Sequence, residues 1–137
     1  MTLSTDDRIA IADLIHRYGH LIDAGDLAGI VDLFTADVTY DVSDFGYGTL
    51  VGVAAIRAAA LAVGEANPVG HHVTNLVLDE QPGGEVHARS KGIGVHADGT
   101  TVSVTHDDVV VRDDHGWRIS HRKITARQAP LGGVLSG

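Results

Sequence analysis

The side chains best suited to chemistry in this chain are its nine histidines, set among 18 acidic residues and with no cysteine. A neutral imidazole can take a proton near pH 7, and a carboxylate on its second nitrogen fixes the tautomer and stabilises the charged form. His16 and His20 stand four apart, the spacing of a metal pair on a helix. No third ligand lies near them in sequence, so a solvated helix face accounts for them. His72 shares strand parity with Leu76 and Leu78, and His106 shares it with Val102 and Val104, so both are expected to face inward. His121 follows Trp117 and Ile119 in the same way, and Tyr40 alternates with Val38 and Val42. Tyr18 falls on the apolar face of a helix. Asp23, about 140° round the wheel from it, has the position of a helix-end residue in solvent. An internal His or Tyr with its polar atoms satisfied would show the same pattern, so parity alone leaves packing and chemistry both open.

Periodicity gives the elements that must position these groups. A first helix starts near Ser4 or Thr5, has Asp6 and Asp7 in its first turn, buries Ile11, Leu14, Ile15, Tyr18, Leu21 and Ile22, and ends at Gly25. Leu27, Ile30, Val31 and Phe34 predict a second helix capped by Asp26. Residues 38–42 alternate as a strand, 43–52 hold three glycines and suggest a loop, and an Ala-rich third helix spans about 53–66 before Pro68. From Gly70 the pattern is that of strands, with turns at 81–84, at Asp98-Gly99 and at 113–116. In the strand from Glu85, the charged Glu85, His87, Arg89 and Lys91 take the solvent face, which turns Val86, Ala88 and Ser90 inward. The tail 130–137 has three glycines and is expected to be loose.

The expected architecture is one α+β domain over residues 1–137, with its core at about 5–127. Three helices pack on a strongly curved, mostly antiparallel sheet, a cone-shaped α+β barrel enclosing a pocket for an apolar small molecule. The formal charge of −8, without a basic stripe, argues against nucleic acid and anionic membrane surfaces as partners. No apolar run approaches the ~20 residues of a membrane span, and Met1 to Asp7 lack the basic flank and apolar stretch of a secretory signal. With no cysteine, a cytoplasmic location is the expectation. The sheet's outer face mixes charges with Val109 and Val111, which suggests a homodimer or other small homo-oligomer.

Two groups of segments carry a family resemblance. His16-Arg17-Tyr18, Asp23-Ala24-Gly25-Asp26-Leu27 and Leu33-Phe34-Thr35-Ala36-Asp37 resemble the opening of the nuclear transport factor 2-like superfamily. Gly70-His71-His72-Val73-Thr74-Asn75 and Asp114-His115-Gly116-Trp117-Arg118-Ile119 resemble its SnoaL-like branch. The likeness covers about residues 5 to 127. It is specific for the fold and much less so for activity, since the superfamily includes enzymes, binding modules and inactive subunits. The nearest enzymatic patterns are those of scytalone dehydratase and bile acid 7α-dehydratase. There an Asp late in the first helix and a His entering the sheet form the catalytic pair, positions that correspond to Asp23 and His72. The bile acid enzyme also has a Tyr five residues before the Asp, as Tyr18 stands here. Ketosteroid isomerase is similar in its opening, but the position of its basic Asp is Val42 here. Limonene-type epoxide hydrolases want Asp and Arg on inner sheet faces, and Arg89 falls on the outer one.

The resemblance thus implies a cofactor-independent lyase, a dehydratase acting on a cyclic or polycyclic hydroxy-carbonyl compound. His72 would be the base, Asp23 its orienting partner and Tyr18 the donor to the substrate oxygen. Tyr40, His106, His121 and Trp117 would be substrate contacts, with no metal. A SnoaL-type polyketide cyclase or a steroid-type double-bond isomerase differs only in what the enolate does next. A non-catalytic small-molecule-binding or oligomerising domain is the alternative of another class.

Overall fold

The computed structural model describes residues 2–136; Met1, and Gly137 at the end of the tail, lie outside the described residues. Helix α1 spans Thr5–Asp23 and is started by a capping box. The Ser4 side chain accepts from the Asp7 backbone, and the Asp7 side chain accepts in return from the Ser4 backbone. Its buried residues, Ile11, Leu14, Ile15, Tyr18 and Gly19, form one stripe. Gly25, at φ 71°, stops it as the sequence predicts. The expected second helix is a single 3-10 stretch, Gly29–Leu33, which still buries Ile30 and Leu33. It is too short for an α-helix because Phe34 already belongs to a strand.

Strand β1 is Phe34–Asp41 and β2, inside the expected loop, is Thr49–Val51. Helix α2 is Val53–Val63, continued by a 3-10 turn to Ala66. The meander follows as β3 (Gly70–Glu80), β4 (Val86–Val95), β5 (Thr101–Asp113) and β6 (Gly116–Ala126). The tail forms 3-10 turns over Pro130–Ser136, broken by left-handed backbone at Leu131, Gly132 and Gly133.

One six-stranded sheet runs in the order β2-β1-β6-β5-β4-β3. Only the β1–β6 pair is parallel. The helices pack on this mixed sheet, which curls around the core without closing, so the α+β class stands and the barrel is an open one. Its inner face and α1 share a single apolar cluster that includes Ile11, Ile15, Val38, Val110, Trp117 and Ile119.

Two strands carry one extra residue each, and each extra residue reverses the side-chain parity beyond it. In β3, Thr74 pairs with Lys91 but Val77 pairs with Arg89, so Asn75 and Leu76 together oppose Ser90. Asn75 absorbs the excess in left-handed backbone at φ 57°. In β6, His121 pairs with Val109 and Ile119 with Val110, which leaves Ser120 as the extra residue.

Candidate active site

Asp23 is the last residue of α1, and its carboxylate meets β3 at His71. It accepts from the His71 backbone amide at 3.0 and 3.1 Å, and lies 2.6 Å from His71 Nδ1. Gly19, one turn earlier on the same face, makes this approach possible. A Cβ on Gly19 would stand 2.5 Å from the His71 carbonyl oxygen, so helix and strand touch backbone to backbone there. The two side chains are 29% and 23% exposed, which places the pair at the edge of the interior.

The expected Asp23–His72 pairing is therefore corrected to Asp23–His71. Strict alternation from Leu76 and Leu78 puts His72 inside, but the Asn75 bulge intervenes and brings Val73 and His71 to the inner face instead. His72 is exposed, although it still borders the cavity described next.

A cavity of about 450 Å³ opens beside the dyad. Its polar lining includes Tyr18, Tyr40, His71 and His106, and much of the rest is apolar, including Ile22, Val42, Leu50, Ile56, Val73 and Ile124. The size and character suit a small cyclic ligand. With a carboxylate against Nδ1 of His71, that nitrogen carries the proton of the neutral ring, and Nε2 is left as the basic atom. Tyr18 and Tyr40 are both buried and share a hydrogen bond of 2.7 Å between their hydroxyls. Burial, then the neighbouring Tyr18, raises the Tyr40 pKa well above the ordinary phenol value, with Arg122 opposing, so Tyr40 stays a neutral donor.

His106 faces inward as its parity predicts, with Nδ1 3.4 Å from Ser90 Oγ. Gly92 makes room for its ring, since a Cβ there would lie 2.9 Å from His106 Cε1. Burial, reinforced by Arg122 and then His71, pushes the His106 pKa down to about 2, so it is a neutral hydrogen-bonding group at any physiological pH.

Two expected contacts lie elsewhere. His121 is turned away from the interior by the Ser120 bulge and sits 2.5 Å from Thr39 Oγ1, between β6 and β1. Trp117 is buried but anchors the start of α1, where its Nε1 donates to Asp7 Oδ1 at 3.2 Å. Asp7 lies about 16 Å along the helix axis from Tyr18.

The same Ser120 bulge turns Arg122 inward, a residue that strict alternation assigns to solvent. It pairs in register with Asp108 and donates from Nε and Nη2 to the two carboxylate oxygens at 2.8 and 2.9 Å. Both side chains are 0% exposed. An inner Asp and Arg are thus present, but locked to each other and absent from the cavity wall. The guanidinium carbon stands 4.8 Å from the centre of the Tyr18 ring. Burial opposes the Arg122 charge, but Asp108 more than offsets it and the pKa rises. Among the described residues, no three His, Asp or Glu side chains converge on a metal-sized site.

Comparison with known proteins places the chain. The model of the SnoaL-like domain matches residues 4–123. The chain belongs to the SnoaL-like domain family. Among solved structures, this SnoaL-like chain is similar to a candidate aromatic ring hydroxylase from Novosphingobium aromaticivorans, at 30% identity and a TM-score of 0.75. The match covers 93% of this chain and 94% of that one. A nuclear transport factor 2-like protein with a cystatin-like fold from the same species is 26% identical, with a TM-score of 0.76 over 92% and 85% of the two chains. A candidate scytalone dehydratase, also from that species, is 19% identical with a TM-score of 0.70, over 91% and 89%, a likeness of fold. Curated proteins yield no match.

Proposed function

We propose that this SnoaL-like protein is a cofactor-independent acid–base enzyme, a dehydratase for an apolar cyclic or polycyclic hydroxy-ketone. The observation that carries this reading is the Asp23–His71 contact at the edge of an apolar cavity. His71 Nε2 removes the proton next to the carbonyl, and Asp23 stabilises the imidazolium that forms. The C–H electron pair moves onto the carbonyl oxygen, where the Tyr18–Tyr40 hydroxyl pair donates to the enolate. The enolate then re-forms the carbonyl and expels the β-hydroxyl, which takes the proton from His71 and leaves as water. Each proton and electron pair is accounted for within the substrate and one imidazole, and the base is regenerated.

His106 supplies a neutral hydrogen bond to the same ligand. Isomerase and cyclase chemistry share the first step, and in them the enolate is reprotonated at another carbon or attacks a second carbonyl. The protein works as a small homo-oligomer in this reading, supported by exposed Val77 on the outer face of β3.

The test is proton exchange. A panel of cyclic ketones and β-hydroxy-ketones is incubated with the protein in deuterated buffer and followed by NMR. Deuterium enters beside the carbonyl, and hydroxy-ketones lose water, faster than in buffer alone. His71→Ala removes this acceleration. A wild-type rate equal to buffer across the panel would instead mark a non-catalytic binding domain.

A further inference from the structure

The proposed mechanism leaves the buried Asp108–Arg122 pair without a use. Taking two charges out of water is costly, and well-packed apolar residues often replace such a pair with no loss of stability. The pair's placement suggests what it is for. Arg122 lies between its carboxylate partner and the aromatic floor of the cavity, with the guanidinium 4.8 Å from the Tyr18 ring centre. The Tyr18 hydroxyl reaches Tyr40, and both rings line the cavity. Nη1 of Arg122 is enclosed and makes no hydrogen bond among the described residues, so Nε and Nη2 alone hold Asp108.

We propose that the Asp108–Arg122 pair is a positioning device that holds a buried cation under the Tyr18–Tyr40 hydroxyl pair, so that the cavity floor selects an anionic ligand oxygen, an enolate or phenolate. Asp108 keeps the guanidinium charged and aimed. The cation, stacked against the Tyr18 ring, sets the sign of the field. Its effect on Tyr40 outranks that of Asp108, and it acts on His106 as well. The ionisable groups around the floor come from four strands and one helix: Tyr18 from α1, Tyr40 from β1, His71 from β3, His106 and Asp108 from β5, and Arg122 from β6. Asp108 lies behind the wall and is neutralised by the guanidinium. Asp23 stands at the edge with its carboxylate engaged by His71, and among the described residues no carboxylate lines the cavity itself. This inference rests on the reading of the tyrosine pair as oxyanion donor, but it does not require turnover.

The test uses 4-nitrophenol, whose ionised form has its own visible band, bound to the intact protein and titrated with base. In the wild type the bound phenol ionises at lower pH than free phenol, by about one unit, a tenfold preference for the phenolate. Asp108→Leu/Arg122→Met removes both charges together, avoids leaving one unpaired, and is expected to fold with an unchanged or higher thermal midpoint while losing that tenfold preference. Arg122→Lys keeps the charge without the bidentate grip and is expected to retain most of the preference, which keeps the question decidable if the double variant does not fold. The proposal is overturned if wild type binds nitrophenol without a shift or not at all, if the double variant keeps the shift, or if Arg122→Lys abolishes it. Proton exchange by the wild type separates the two readings, because absent exchange with ketones beside an intact phenolate preference would sink the dehydratase reading alone.

Discussion

At the scale of single residues, adjacent histidines have different fates. His71 is held by Asp23 and lines the cavity, whereas His72 is exposed. His71→Ala is expected to lower proton-exchange activity by about 10²- to 10⁴-fold, the usual contribution of a positioned base. His72→Ala should stay within a few-fold of wild type, and steady-state rates on one ketone decide between them. Asp23→Asn keeps the shape but offers the imidazole a poorer partner, and a loss in the same range is expected.

His106 gives a pH dependence of stability. Its folded pKa lies far below the ordinary histidine value of 6.5, so the unfolded chain binds the proton first as the medium is acidified. The stability it contributes is complete above about pH 6.5 and is lost as pH falls towards 2. Thermal midpoints measured between pH 7 and 4 should fall more steeply for wild type than for His106→Gln. Tyr18, Tyr40 and His106 were legible from parity and periodicity, because no extra residue separates them from the apolar positions that set their face.

At the scale of elements, the two bulges explain what the sequence concealed. Period-2 alternation holds only while pairing is uninterrupted, and Asn75 and Ser120 each add one residue. The first exchanged His72 for His71. The second hid Arg122 and misplaced His121. Neither Asn nor Ser announces a bulge, since both occur in ordinary strands. Gly19 was the clue available in the sequence, a mid-helix glycine four residues before Asp23, whose missing side chain marks a close approach.

Deleting Asn75 removes the extra residue and leaves Thr74 opposite Lys91 and Val77 opposite Arg89, so His71 should stay on the inner face of an unbulged strand. Circular dichroism is expected to show a retained fold, and exchange assays an activity within a few-fold of wild type. A loss comparable to His71→Ala would show that the bulge itself, and not the face His71 occupies, is what places the imidazole. Gly19→Ala drives a methyl into the His71 carbonyl, so α1 must move off β3. A destabilisation of about 1–3 kcal/mol is expected in denaturant titrations, together with weakened catalysis.

At the scale of the whole molecule, the fold was the most legible feature, because helix period, turn residues and strand order all agree with an α+β layer. Its open curl follows from a sheet that starts at the short β2 and ends at β3 without pairing the two. Sedimentation should report a dimer or other small oligomer, and a monomer at all concentrations would remove the sheet face from consideration as an interface.

The ends of that sheet give Asp23 a second duty. β3 is an edge strand, and its outward amides are open to any passing chain unless something meets them. The His71 amide is met by the Asp23 carboxylate, on a helix laid along the same edge. The residue that orients the imidazole thereby also caps the edge with negative charge, which guards the protein against adding a foreign strand. Imidazole placement and edge protection meet at one side chain, so a variant that discards the carboxylate also leaves that amide of the edge strand without its partner.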